Sequence, residues 1–159
     1  MSSIGTILNA NGKQIVTDLQ RSMSSKGLNA SRKTSDSIKY EVSETLTKSV
    51  LKIIANRSIG ALQYGRKPGR MPPRDVIRQW IDNKPLTLQG KMTKDQLAYL
   101  IQRKLGREGI KVPNRYNVGG VITDVINDEL IARIFKEIKS ASINRLVEAT
   151  KKVKGGFAK

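Results

Sequence analysis

Residues 38–55, IKYEVSETLTKSVLKIIA, decide the fold class of this chain. In the first half, Ile38, Tyr40 and Val42 alternate with polar residues, the period of two that is typical of a half-buried strand. The second half, residues 50–55, is mostly apolar and β-branched, which also favours a strand. Together they predict an antiparallel hairpin. A hairpin alone is only marginally stable, so helices or a neighbouring subunit must cover it.

The residues before the hairpin predict an arm, a helix and a loop. Residues 1–11 carry few apolar anchors, and the Asn-Ala-Asn-Gly cluster at 9–12 is typical of a turn. From Lys13 the apolar residues recur at helical spacing, and Gly27 stands where a helix would end. Residues 24–36 are Ser-rich and basic, so we expect a flexible loop.

The residues after the hairpin are mainly helical in pattern. A short helical or irregular link is expected at 57–65, and a Pro-Pro pair begins a helix over 73–82. The capping-box pattern at Thr93–Gln96 introduces a helix over 94–108 with Leu97, Leu100, Ile101 and Leu105 inward. Apolar residues at steps of four predict helix over 121–153, either unbroken or interrupted near 140–142.

These elements together predict an α+β fold. A small antiparallel sheet, the hairpin at about 37–55, is packed by several helices, with a flexible N-terminal arm and a basic C-terminal tail. At 159 residues, the length is that of one domain.

The charge balance indicates what the chain associates with. It carries 30 Lys and Arg against 13 Asp and Glu, a formal net charge of +17. The excess is largest in residues 66–120, where thirteen basic and four acidic side chains give +9. Such a charge implies an anionic partner, either nucleic acid or an acidic protein surface.

The parts of a catalytic or cofactor site are missing from the sequence. There is no cysteine, so there is no Cys-based nucleophile or metal site, and no histidine, which removes the commonest general base and metal ligand. A partial phosphate-loop match ending at Gly90-Lys91 has Pro85 where the first glycine belongs. Asp124, Asp128 and Glu129 are read as a solvated helix face balanced by Arg133. We therefore expect no enzyme activity, no cofactor, no metal and no small-molecule substrate.

The chain shows no signal for a membrane. No apolar run approaches the eighteen residues of a spanning helix, and the first residues lack a signal-peptide pattern. We expect no membrane partner and a cytosolic setting.

A stiff basic loop follows the hairpin. Residues 64–73, YGRKPGRMPP, combine three basic residues with three prolines, and proline fixes φ and removes backbone donors. The loop is therefore predicted to be a preformed contact element. Trp80, with Ile77 and Ile81, is expected in the core, and the alternative is an interface anchor. The candidate assembly contacts are Tyr64, Gly65, Arg66, Lys67, Pro68, Gly69, Arg70, Pro72 and Trp80.

A second basic group lies on and after the helix at 94–108. Its candidate contacts with DNA or an acidic partner are Arg103, Lys104, Arg107 and Arg115. The helices at 73–82 and 94–108 are eleven residues apart, too far for a helix-turn-helix. Sequence-specific DNA recognition is therefore disfavoured, and contact with the phosphate backbone stays open.

Several of these segments resemble one family. The run SIKYEV at 37–42, the loop at 62–73, Ile77 to Ile81 and the segment LAYLIQRK at 97–104 are similar to the neck or tail-completion proteins of tailed bacteriophages, closest to crAss-like phages of Bacteroidota. The resemblance covers about residues 28–130. It implies an α+β core there, preceded by an N-terminal arm and helix (1–27) and followed by a C-terminal helical extension and basic tail (131–159).

The resemblance also implies a function. Such proteins are virion structural subunits that form a six- or twelvefold ring in the head–tail connector, beside portal, adaptor or tail proteins and around the passing DNA. The expected location is the virion neck or tail, after synthesis in the bacterial host cytoplasm. The alternative from the residues alone is a basic protein that binds nucleic acid without sequence preference.

Overall fold

The computed structural model describes residues 3–45, 47–84, 86, 90 and 92–156. The described residues combine six helices with a two-stranded antiparallel sheet, so the predicted α+β class is confirmed. In chain order the elements are α1 (Ile4–Ser25), α2 (Lys33–Asp36), β1 (Lys39–Glu44), β2 (Ser49–Ile54), α3 (Ser58–Tyr64), α4 (Arg74–Asp82), α5 (Lys94–Glu108) and α6 (Asp128–Gly156).

The hairpin has the register that its alternation implies. Tyr40 pairs with Ile53 and Val42 with Leu51, which places the less exposed side chains of β1 opposite those of β2. The covered face lies against α1, and the approach is closest at Gly12. A Cβ at this glycine would lie 2.5 Å from Tyr40 Cδ2 and 2.8 Å from Leu51 Cδ1. The absence of a side chain at this position lets helix and sheet meet.

The main hydrophobic core forms between α1, the hairpin and the segment before α6. Leu19 and Met23 of α1 and Val121 are the largest fully buried side chains among the described residues, and Ile15 and Ile38 complete the cluster. Half-buried apolar residues of α3 and α6 pack around it. α1 is thus the central helix of the fold.

A second, smaller core joins α4 to α5. It contains Ile77, Ile81 and Ala98, with Leu97, Ile101 and Leu105 half-buried around them. The predicted capping box at Thr93 is confirmed, since Thr93 and Gln96 bond each other's backbone N–H at 3.2 and 2.9 Å. Leu100 was expected inward, but it is 48% exposed because Ala98 occupies the contact with α4.

The predicted turn at 9–12, and with it most of the flexible N-terminal arm, is wrong. Ser3 caps α1 by accepting a hydrogen bond from the Thr6 N–H at 3.0 Å, and the helix continues without interruption to Ser25. Asn11 is buried and donates to Ile7 O at 3.0 Å and to Glu137 Oε2 at 2.9 Å. Packing against the hairpin and α6 outweighs the local turn preference of these residues. The three-part division of the chain stays a prediction, with α1 sharing the core of residues 28–130.

Two other boundaries also differ from expectation. The loop at 24–36 contains the single turn α2, which begins after Arg32 in a left-handed conformation (φ 56°). The last helix begins at Asp128 and not at 121, because the Asn127 side chain accepts from the Leu130 N–H at 2.9 Å and so caps it there. It then runs as one helix to Gly156. Within the described residues, no helix combines the length and apolarity needed to cross a membrane.

Candidate functional site

The basic loop is fixed along α5 by backbone hydrogen bonds. We call residues 65–73 the strap. Its first end forms a reciprocal pair with Ile110: the Arg66 N–H donates to Ile110 O at 2.8 Å, and the Ile110 N–H donates to Arg66 O at 2.7 Å. Further along, the Gly69 N–H donates to Gly106 O at 2.8 Å. Gln102 Nε2 donates to Pro72 O at 2.7 Å and holds the second end.

Glycines at the ends of α3 and α5 let the strap and α5 approach this closely. Gly109 has a φ of 70°, and a Cβ there would lie 2.1 Å from Arg66 O. At Gly65, whose φ is 81°, a Cβ would lie 2.1 Å from Ile110 O. A side chain at either position would force the reciprocal pair apart. The stiffness predicted from the prolines therefore depends equally on glycines, one of which lies about forty residues further along the chain.

The strap exposes its tip and buries its ends in part. Lys67, Pro68, Gly69 and Arg70 are exposed, and Tyr64, which precedes the strap at the end of α3, is 75% exposed. The remaining predicted contacts, Gly65, Arg66 and Pro72, are half-buried. The Arg66 guanidinium donates to Arg70 O across the strap. The tip is thus a rigid, basic projection available for contact.

Trp80 is not a core residue, contrary to expectation. It is 41% exposed, because Ile77 and Ile81 direct the buried stripe of α4 towards α5 and leave Trp80 on its flank. Val76, one turn earlier on the same flank, is 55% exposed. The alternative interpretation of Trp80, an interface anchor, is the one compatible with this position and stays a prediction.

The second basic group is exposed and largely without partners. Arg103, Lys104, Arg107 and Arg115 are all exposed. Of these, only Lys104 has a carboxylate within 4.0 Å in the part of the chain that the structure describes, namely that of Glu108. In the same region, Arg78 pairs with Asp95 at 3.1 Å and Lys94 with Asp82 at 2.5 Å. The hydrogen bond from Lys94 lowers the pKa of Asp82 below its ordinary value.

Two arginines lie over tyrosine rings, a feature that the sequence did not predict. The Arg74 guanidinium carbon is 5.3 Å from the centre of the Tyr99 ring, and that of Arg115 is 5.8 Å from Tyr116. Both distances suit a cation–π contact. Arg74 and Tyr99 stand 25 positions apart, so no local spacing could have revealed the pair. Since Arg103 follows Tyr99 by one turn of α5, Arg74 and Arg103 extend one basic surface beside the strap.

The acidic residues do not assemble into a site. Asp124 precedes α6 instead of sharing a helix with Asp128 and Glu129, and its carboxylate accepts from Lys26 Nζ at 2.6 Å. Among the described residues, no group of three acidic side chains is placed to hold a metal ion. The expectations of no enzyme activity, cofactor or metal stay predictions. Comparison with protein-family models, curated proteins and solved structures finds no match to this chain.

Proposed function

We propose that this protein is a structural subunit of the neck of a tailed phage. It forms a ring in the head–tail connector, joins portal or adaptor to tail around the DNA channel, and has no catalytic role. The observation that carries the proposal is the strap: an exposed basic tip whose backbone is held at both ends by hydrogen bonds to α5 and Ile110. A surface that is already ordered loses little conformational entropy when it binds, which suits a permanent assembly contact.

The exposed flank of α4 supports the same proposal. A closed ring joins one surface of each subunit to a different surface of the next. Val76 and Trp80 place an apolar pair close to the strap, on the helix that begins where the strap ends. In our proposal the strap tip and this flank together form one side of the ring contact, with Trp80 as its anchor.

The mass of the purified protein in solution tests this proposal. A ring of six copies of 17.7 kDa has a mass of about 106 kDa, and a ring of twelve about 212 kDa. We expect light scattering to find one of these masses at both 50 and 300 mM salt, since a contact anchored by Trp80 and a rigid strap loses little strength to screening. A 17.7 kDa species at all protein concentrations would contradict the proposal.

Variants of the strap and α4 test, by the same measurement, whether these residues are needed for the ring. Trp80→Ser should abolish the ring while leaving the unfolding transition within about 1 kcal/mol, because the side chain is 41% exposed in the subunit. Pro68→Ala with Pro72→Ala should weaken the ring without unfolding the subunit. Tyr116→Ser is the matched control, as it removes an aromatic side chain that is 81% exposed and far from the strap in sequence.

Binding of nucleic acid without sequence preference is the second candidate function. It is favoured by four arginines in or beside the strap that have no carboxylate within 4.0 Å among the described residues: Arg70, Arg74, Arg103 and Arg107. If these four contact phosphates of duplex DNA, the affinity should fall with salt at a slope of about −3.6 on logarithmic axes, from about −0.9 per phosphate.

Fluorescence anisotropy with two unrelated duplexes measures this slope. Arg103→Ala with Arg107→Ala should reduce the slope by about 2 for both duplexes alike. Arg78→Ala is the control, because its guanidinium is already paired with Asp95. A slope near zero, or a strong preference for one duplex, would contradict this second candidate.

A further inference from the structure

α6 carries a stripe, apolar except at Ser142, that the fold leaves exposed or only half-buried. Six residues recur at steps of three and four along one face: Ile131, Phe135, Ile138, Ser142, Leu146 and Ala149. Phe135 and Leu146 are each 67% exposed and Ile131 is 43% exposed. Steps of three and four over this length are the pattern of a helix that packs along another helix. Val153 continues the spacing in the sequence.

The first half of the stripe borders an open groove. The groove has a volume of about 700 Å³ and lies between α6, the first turns of α1 and the end of the hairpin. Leu8 and Leu51 contribute apolar side chains to it, and α6 lines it from Ile131 to Arg145. The fourteen steps from Ile131 to Arg145 correspond to about 21 Å of helix.

The second half of the stripe belongs to a helix end that projects from the core. α1 runs beside α6 in the opposite direction, because Asn11 bonds Glu137 while Lys26 bonds Asp124. Ile4, at the beginning of α1, lines the same groove as Arg145. Residues 146–156 of α6 therefore extend about 16 Å beyond the start of α1. The projecting end and the groove are similar in length.

We propose that the stripe pairs with the same stripe of a second copy of this chain, antiparallel and with a two-fold axis at Ser142. In that register Ile138 faces Leu146 of the second copy, and Phe135 faces Ala149. Each side chain of the first half thus meets one of the second half. The largest side chain of the stripe meets the smallest apolar one, so the two helices can interdigitate.

The other contacts of this register agree with the same packing. Ser142 meets its own copy where the helices are closest, and Ala141 beside it is also small. The projecting end of each chain then lies along the groove of the other, where Leu146 adds to the apolar surface of Leu8 and Leu51.

A parallel pairing fits the stripe poorly. It would place Phe135 against Phe135 and Ala149 against Ala149, which overpacks one layer and leaves the other underfilled. It would also leave both grooves open. Because every antiparallel contact occurs twice, the pair buries four large apolar side chains from each chain: Ile131, Phe135, Ile138 and Leu146. The pairing is independent of the proposed ring, since a two-fold contact joins identical surfaces and a ring contact joins different ones.

Sedimentation equilibrium of the whole chain tests the pairing. Where the ring does not form, as expected for Trp80→Ser, we expect a two-copy species of about 35 kDa, from twice 17.7 kDa; where it forms, we expect a mass built from such pairs. Leu146→Glu should raise the dissociation constant of the pair at least about 100-fold, because the buried anchor is lost from both copies. Leu100→Glu is the matched control: Leu100 is 48% exposed on α5, and its replacement should leave the pair intact. A Leu146→Glu protein that pairs as well as the Leu100→Glu protein would overturn the proposal.

Single cysteines determine the direction of the pairing without interference, since the chain has none of its own. Under mild oxidation, Ser142→Cys should form a disulfide between two copies, and Ala149→Cys should not. Disulfides in both variants would indicate parallel helices, and disulfides in neither would indicate that the stripe is not a self-contact. Either result overturns the antiparallel register.

Discussion

Gly109→Ala is expected to lower the free energy of unfolding by about 4 kcal/mol, an exceptionally large effect for the addition of one methyl group. The new Cβ would lie 2.1 Å from Arg66 O and 2.8 Å from Pro68 N. Both are backbone atoms of the strap, so no side-chain rotation can relieve the overlap. The strap must move away, and the hydrogen bonds between Arg66 and Ile110, 2.8 and 2.7 Å long, are then lost. Urea unfolding measured by circular dichroism gives this free energy.

Gly27→Ala separates the steric effect from backbone strain. Gly27 has a φ of 65°, close to the 70° of Gly109, but nothing lies within 4 Å of a Cβ built on it. Only the cost of placing alanine in the left-handed region remains, about 1 kcal/mol. Equal effects at the two positions would show that the strap does not close on Gly109 in solution. A larger loss at Gly109, accompanied by loss of the ring, would connect strap geometry to assembly.

The sequence predicted elements whose signal is local. The alternation at 38–42 located β1, and the capping pattern at Thr93–Gln96 marked the first turn of α5. The prediction was wrong at 9–12, where Asn and Gly favour a turn locally but lie in the middle of α1. A side chain at Gly12 would overlap the ring of Tyr40, 28 residues later, and the Asn11 side chain donates a hydrogen bond to Glu137. Contacts between residues this far apart produce no local pattern in the sequence from which they could be predicted.

The sequence also predicted only part of the candidate site. The strap was identified by its prolines and charge, but the partners that fix it, Gly106, Gly109 and Ile110, lie well outside the quoted loop. Trp80 was assigned to the core because helical spacing alone does not distinguish the centre of a buried stripe from its flank. The contact of Arg74 with Tyr99 depends on how α4 packs against α5. Pairings between elements of this kind follow only from the folded structure.

Leu8→Ala is expected to lower the free energy of unfolding by about 3 kcal/mol, although Leu8 lies in the segment that the sequence suggests is a flexible arm. The side chain is 6% exposed. The substitution removes three carbons and leaves a cavity between α1, Leu51 of the hairpin and α6. The side-chain bond from Asn11 to Glu137, at 2.9 Å, keeps the two helices from closing it. Deleting residues 1–12 should have a still larger effect and abolish the cooperative unfolding transition, since α1 would lose nine of its 22 residues and, with Gly12, its closest approach to the hairpin.

Leu100→Ala is the control for both changes, because Leu100 is 48% exposed on α5 and its truncation should cost no more than about 0.5 kcal/mol. An unchanged transition after deletion of residues 1–12 would support the prediction of a flexible arm. It would also mean that the start of α1 does not form a fixed wall of the groove beside α6. If Leu8→Ala destabilises the subunit as expected, the start of α1 is packed in the isolated subunit and does not depend on a second copy. Pairing through α6 would then need no ordering of α1, and its affinity would depend mainly on the contacts of Phe135 and Leu146.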